Sequence, residues 1–114
     1  MNRVELNRLL TEYFPNLADA YEEEIEWQEG DETGSHIVYG DVFTPYVAKC
    51  LERNDRKKLD EIFDFLEFLL AKQDSYIDEV VAFSVIESLE GLLKQNHEIV
   101  ERMGGRARKL LEEF

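Results

Sequence analysis

Carboxylates and histidines that could bind a metal ion are present in this chain, but their spacing matches no metal-binding motif. The two histidines, His36 and His97, lie in different segments, and neither belongs to an HxxxH or HExxH pattern. Glu22, Glu26 and Glu29 could share one face of a helix, yet the Glu-x-x-His motif that completes a di-metal site in helical bundles does not occur. We therefore predict that the protein holds no metal ion and no other cofactor.

Nucleophilic catalysis has equally little support in the sequence. The single cysteine, Cys50, lies in a predicted helix, and no base can be paired with it from the sequence. It cannot form an internal disulfide, which suits a reducing cytosol. Within "PYVAKCLERN" we favour a buried structural thiol over a nucleophile. No GxSxG, P-loop or GxGxxG motif occurs, and among 26 acidic residues carboxylate pairs such as Asp60 and Asp64 arise by chance. We predict a protein that is not an enzyme and has no catalytic residues.

Two basic segments could in principle contact phosphate groups. "RMGGRARK", Arg102 to Lys109, has two glycines and four cations, and a phosphate could bind at a helix amino terminus there. We favour the alternative, a helix break whose cations offset neighbouring acids. The cations from Arg53 to Lys58 are flanked by acids, which favours a salt-bridged helix start. Since the formal net charge is −13, we expect neither nucleic acid nor an anionic membrane to be a partner.

The stretch "YEEEIEWQEGDETG", Tyr21 to Gly34, is the strongest candidate for a binding surface. It holds seven acidic residues, no lysine or arginine, and a tryptophan. Like charges one helical turn apart cost about 0.2–0.5 kcal/mol per pair, and acids near the carboxyl end of a helix oppose its dipole. Tryptophan is enriched at binding hot spots. The pattern therefore favours a face that binds a basic protein. The alternative that remains open is a solvated helix end, with Trp27 capping the core.

The residues predicted to contact this partner fall into two groups. Seven acids would pair with lysine and arginine side chains, and two aromatic residues would supply apolar anchors at the centre. The complete set is Glu22, Glu23, Glu26, Trp27, Glu29, Asp31, Glu32, Tyr39 and Asp41.

The elements that must position these residues are predicted to be helices in the amino-terminal half. Apolar residues in "VELNRLLTEYF" recur at helical spacing, and Pro15 ends this helix and begins the next, "PNLADAYEEEIEWQ". Glycines mark "GDETGSHIVYGD" as a loop, within which "HIVY" could form a short extended piece. Asp41 is a candidate cap, and the following helix should begin near Thr44 because Pro45 is tolerated only in a first turn.

The carboxyl-terminal half shows stronger helical periodicity. "RKKLDEIFDFLEFLLAKQ" carries a wide apolar stripe, and "DSYIDEVVAFSVIESLEGLLKQ" begins with Asp74 or Ser75 as its cap. The run from Val80 to Ile86 is apolar almost all round, which predicts a central helix. Glycines 104 and 105 separate two final helices. We predict a single all-α domain over residues 1–114, a bundle of about five or six helices, either orthogonal or stacked as antiparallel helical pairs.

The expected compartment of the protein is inferred from two kinds of segment, membrane spans and signal peptides. No apolar run approaches the roughly 20 residues that span a bilayer. The segment "MNRVELNRLL" carries charges in its first ten residues and has no signal-peptide core. We expect a soluble cytoplasmic protein.

One part of the chain resembles a known group of proteins. The segment from Tyr39 to Glu90 is similar to small bacterial helical proteins, many of which look like immunity proteins of contact-dependent growth inhibition and related polymorphic toxin systems. The matching residues are Gly40-Asp41-Val42-Phe43, Pro45, Leu59, Ile62-Phe63-Asp64-Phe65-Leu66-Glu67, Asp78, Val80-Val81, Ser84-Val85, Glu87 and Leu89. The resemblance implies an all-helical domain that neutralises a toxin nuclease made by the same cell.

Two functional hypotheses follow. The first is an immunity protein that binds a cognate basic toxin domain, a ribonuclease in the leading version, with one-to-one stoichiometry and through the acidic face. The second is a helical adaptor or regulatory subunit that pairs with itself or with a partner helix through the apolar face of "FDFLEFLL".

Overall fold

The computed structural model describes residues 1–114 and consists of seven helices without any strand, 82% of the chain being helical. This confirms the all-α prediction, with one or two helices more than expected. Five of the helices are α1 (Arg3–Tyr13), α2 (Pro15–Leu17 and Ala18–Glu26), α4 (Arg56–Leu70), α6 (His97–Arg102) and α7 (Gly105–Glu112). The other two, α3 (Ser35–Val38, Tyr39–Phe43 and Thr44–Glu52) and α5 (Ser75–Glu79, Val80–Ile86 and Glu87–Lys94), each contain a π-helical middle segment. None of the helices is both long and apolar enough to cross a membrane.

Side chains at the amino termini of four helices accept backbone hydrogen bonds and so set where these helices begin. Such caps satisfy amide groups that have no partner inside the helix. Asp74, one of the two residues predicted to cap α5, accepts from the backbone N–H of Tyr76 at 2.9 Å. The other three caps are Asn2 on α1, Asp55 on α4 and Asn96 on α6.

Helix α3 departs most from the sequence prediction. The segment expected to be a loop with an extended piece is helical from Ser35 onward, so that prediction is wrong. The reason is burial, since Val38, Tyr39, Val42 and Phe43 form one helical stripe and are each at most 4% exposed. Burying a large apolar side chain contributes about 1.5–3 kcal/mol, which exceeds the roughly 1 kcal/mol penalty for glycine inside a helix.

The α-helical segment that contains Pro45 begins at Thr44 as expected, but it continues a helix that starts at Ser35. A proline in a helix interior removes one hydrogen bond and crowds the preceding turn. Here that turn is widened into a π-helix, in which the backbone N–H of Thr44 donates to the carbonyl of Tyr39, five residues earlier. Asp41 consequently lies within the helix and is not its cap.

A single core of 30 buried residues extends from Leu6 to Leu111, and α4 and α5 run through it. The prediction of a central α5 is confirmed, because its π-helical segment is buried apart from Phe83 and Ser84. This segment packs against the π-helical part of α3, where the Thr44 hydroxyl donates to the carbonyl of Ser84 at 2.7 Å. The contact brings α3 into the core and fixes which of its residues face outward.

The glycine pair before α7 is a helix break, as the sequence favoured. The carboxylate of Glu67 on α4 occupies the amino terminus of α7, where it accepts from the backbone N–H groups of Arg106 at 3.1 Å and Ala107 at 2.9 Å. A Cβ atom on Gly104 would lie only 2.1 Å from Cγ of Glu67. The place that a phosphate would take is therefore filled by a carboxylate of the same chain.

Candidate protein-binding groove

Helices α2 and α3 border a groove of about 450 Å³. One wall is the exposed face of α2, and the other is the π-helical part of α3. Four carboxylates and one tryptophan dominate its surface, and small apolar side chains complete it. The lining residues are Ala20, Glu23, Glu24, Glu26, Trp27, Asp41 and Val42.

The orientation of α2 follows from its two buried side chains. Tyr21 and Ile25, one helical turn apart, are 8% and 6% exposed and hold the helix on the core. Helical geometry then directs the intervening residues, including Glu23, away from the core. On the opposite wall, Val42 is buried while its neighbour Asp41 is exposed. The groove is therefore made by the outward faces of two helices whose inward faces are tightly packed.

Trp27 ends α2 and is 71% exposed, more than any other large apolar side chain of the protein. The alternative that it caps the core is therefore wrong. An indole ring left in water among carboxylates loses the favourable free energy that burial would provide. This exposed ring is the largest apolar surface in the groove.

Glu24 and Asp41 place two carboxyl groups close together across the groove. The side chain of Glu24 is half-buried and accepts from Nε2 of Gln28 at 3.1 Å. Burial raises the pKa of Glu24; the Gln28 hydrogen bond opposes this shift, and the nearby carboxyl group of Asp41 adds to it. A cation bound between these carboxyl groups would favour the ionised form of Glu24.

The charge of the groove is not compensated by the protein itself. Seven ion pairs form elsewhere in the structure, and none of them includes a carboxylate of the groove. No three potential metal ligands come together anywhere in the structure. What the groove can do chemically is hold positively charged groups of another molecule next to an indole ring.

The predicted contact residues divide into those that line the groove and those that do not. Four of them line it, and these are Glu23, Glu26, Trp27 and Asp41. Glu22, Glu29, Asp31 and Glu32 are exposed but lie outside its lining. Among these four, Asp31 accepts a long hydrogen bond of 3.5 Å from the Tyr21 hydroxyl, and Glu32 contacts Nε of Arg3 at 3.4 Å.

Tyr39 was expected to be an apolar anchor for the partner, and this prediction is wrong. Its side chain is completely buried, and its hydroxyl donates to the carbonyl of Leu6 at 2.7 Å. Its ring lies against those of Phe43 and Phe65 in the core. Burial raises the pKa of the Tyr39 hydroxyl far above its usual range. The helical course of α3 is what turns this residue inward.

The sequence analysis missed three lining residues, Ala20, Glu24 and Val42. The first two could have been found, because Ala20, Glu24 and Trp27 follow the i, i+4, i+7 spacing of one helix face. Val42 could not be found in this way, since its segment was expected to be a loop.

Two further groups that could carry chemistry are accounted for by the fold. Cys50 is 4% exposed, and burial raises the pKa of its thiol, which supports the structural role that the sequence favoured. Nδ1 of His36 lies 3.1 Å from the Ser84 hydroxyl, but no carboxylate hydrogen-bonds to the other ring nitrogen to orient the imidazole. The contact ties α3 to α5.

Comparison with known proteins yields one match. The model of a family described as a domain of unknown function (DUF7674) matches residues 7–114. No curated protein and no solved structure matches the chain.

Proposed function

The chain belongs to the DUF7674 family, and we propose that it is a protein-binding module whose acidic groove holds a cationic protein. The observation that carries the proposal is Trp27, 71% exposed beside four carboxylates that no cation of the chain neutralises. Exposed tryptophan and uncompensated like charges both cost stability in the isolated protein. A partner that supplies lysine and arginine side chains and covers the indole ring would relieve both costs.

Different residues of the groove control different steps of binding. An exposed ion pair contributes about 0.2–1 kcal/mol, so Glu23, Glu26 and Asp41 act mainly by accelerating association, by about 10- to 1,000-fold at low salt. A tryptophan hot spot is worth about 2 kcal/mol or more, so Trp27 acts mainly on dissociation. The acids therefore select a basic partner, and the indole retains it.

We propose that the partner is a cognate basic toxin domain, a ribonuclease, bound one-to-one in the cytoplasm of the cell that makes it. Two observations support this role. The segment from Tyr39 to Glu90 resembles immunity proteins of bacterial toxin systems, and the net charge of −13 complements the basic surface with which a ribonuclease binds RNA. The carboxylates of the groove would then take the places of RNA phosphates on the toxin and exclude its substrate.

The adaptor hypothesis required an exposed apolar face on "FDFLEFLL", and most of this face is buried. Within "FDFLEFLL" the apolar side chains of Phe63, Phe65, Leu66, Leu69 and Leu70 are each at most 6% exposed because they pack into the core. Phe68 is the exposed exception, at 38%. A single exposed ring does not make the apolar face that helix pairing requires.

The test uses two variants that carry the same change of net charge. The groove variant combines Glu23→Lys, Glu26→Lys and Asp41→Lys. The control variant combines substitutions by lysine at three exposed acids outside the groove that form no ion pair, namely Glu87, Glu101 and Glu113. Each changes the formal charge by +6, from −13 to −7.

The binding measurement uses the product of the gene directly upstream of this protein's gene, which the immunity role predicts to carry the basic toxin domain. We expect the groove variant to associate with it at least 10-fold more slowly than the control variant in low salt, with the difference shrinking at high salt. Trp27→Ala should instead raise the dissociation rate by about 30-fold. The unaltered protein and the control variant should protect cells that express this toxin. Equal association rates and equal protection by both triple variants would refute the proposal.

A further inference from the structure

A second groove lies where the end of α1 meets α4. It encloses about 270 Å³ and is lined by Tyr13, Phe14, Glu61, Asp64 and Phe65, and we refer to it as the Tyr13 cleft. None of its residues lines the acidic groove between α2 and α3. It was not identified from the sequence.

The cleft has an aromatic surface. Phe14 and Phe65 are buried, while Tyr13 is 48% exposed and packs with its ring centre 5.0 Å from that of Phe65 and 5.2 Å from that of Phe68. Nζ of Lys72 lies 4.4 Å from the centre of the Phe68 ring. The aromatic surface next to the cleft thus already holds a cation of this chain, in the geometry of a cation–π interaction.

The acids of α4 differ in whether they form ion pairs. Asp60 contacts Arg102 at 2.6 Å, and Glu67 caps α7 and lies 4.0 Å from Arg106. Glu61 and Asp64, which line the cleft, are exposed and belong to none of the ion pairs. Because Glu61 and Asp64 are three residues apart, their side chains are neighbours on the helix, and their negative charges repel one another.

We propose that the Tyr13 cleft binds an arginine side chain of the same cationic partner that fills the acidic groove, an inference that rests on the proposed function. A guanidinium group can stack on the exposed face of Tyr13 while its N–H groups donate to the carboxylates of Glu61 and Asp64. Arginine fits better than lysine because its planar fork of donors reaches two acceptors while it stacks. Two separate contact points would fix how the partner is oriented.

The test uses N-acetyl-arginine methylamide as a probe of the unaltered protein, followed by backbone amide NMR shifts. The matched control ligand is the citrulline analogue, which has the same shape and no charge. We expect the arginine probe, and not the citrulline analogue, to shift the amides of Tyr13, Glu61 and Asp64. Glu61→Gln with Asp64→Asn should weaken this binding by about fivefold. Tyr13→Leu should weaken it as well, because the stacking surface is lost.

The outcomes separate this inference from the proposed function. Shifts at the cleft that the two carboxamide substitutions weaken by about fivefold, with shifts near Trp27 unchanged, support two independent sites. Shifts near Trp27 without any at the cleft overturn the second site and leave the proposed function in place. Equal shifts with arginine and citrulline probes overturn the arginine site, since charge would then contribute nothing. If the toxin domain predicted in the upstream gene product binds the carboxamide variant as tightly as the unaltered protein, the second site is also overturned.

Discussion

Of the two aromatic residues expected to anchor a partner, Trp27 is exposed and Tyr39 is buried. Their positions relative to the buried stripe of each helix explain the difference. Trp27 follows the last buried residue of α2, Ile25, by two positions, which places it off the stripe at the end of the helix. Tyr39 lies within the stripe of α3 and is completely buried. Both residues were predicted to be anchors because they are aromatic. Which face of its helix each one occupies determined whether its side chain is exposed.

The exposure and surroundings of Trp27 can be tested without a partner. Because it is the only tryptophan and lies among uncompensated carboxylates, caesium ions should quench its fluorescence more strongly than iodide ions do, relative to N-acetyl-tryptophanamide. The measurement is the ratio of the two Stern–Volmer constants at low ionic strength. In the groove variant this ratio should fall well below that of the control variant. A ratio equal to that of the free model compound would show that the groove has no negative potential.

At the scale of helices, α4 and α7 are joined by the carboxylate of Glu67, which caps α7 and lies against Gly104. The backbone of Gly104 has φ −69° and ψ 161°, which any residue adopts, so glycine is needed there for space and not for conformation. A larger residue would displace the carboxylate that satisfies the first amides of α7. Gly105 differs, because a Cβ atom placed on it meets nothing within 4 Å.

Alanine at the two adjacent glycines should therefore have opposite effects on the free energy of unfolding. Gly104→Ala should lower it by about 0.5–2 kcal/mol, the cost of a lost cap, while Gly105→Ala should raise it by about 0.4–1 kcal/mol. Combining Gly104→Ala with Glu67→Ala should cost little more than Glu67→Ala by itself, since the cap is lost only once. Urea unfolding followed by circular dichroism measures all four variants. Additive costs in the double variant would contradict the proposed contact.

At the scale of the whole molecule, repulsion among the surplus negative charges destabilises the compact folded state. The protein carries 26 acidic and 13 basic residues within extents of 38 × 29 × 21 Å. The Debye length is about 30 Å at 0.01 M salt and about 8 Å at 0.15 M. At the lower concentration the acids therefore repel one another across the entire molecule, and at the higher one only near neighbours interact.

The midpoint of thermal unfolding, Tm, should consequently rise as sodium chloride is increased from 0.01 to 0.15 M. Each kcal/mol of relieved repulsion corresponds to about 4 °C in a domain of this size. The groove variant and the control variant, both with a formal charge of −7, should show a smaller rise than the unaltered protein. Scanning calorimetry at the two concentrations provides the comparison. A Tm that falls with salt would mean that attractive ion pairs outweigh the net repulsion.

The sequence by itself determined the helical class, six of the seven helices, the part of α3 from Thr44 onward, the central place of α5 and the surplus of acids beside Trp27. These features are local, since helical periodicity, capping side chains and prolines act within a few residues. Only the tertiary structure decided the course of α3, because burying its stripe against α5 outweighs the glycine and proline that argue for a loop. The same packing turned Tyr39 inward, brought Asp41 beside Glu24, and so made a groove from two segments that no local pattern connects.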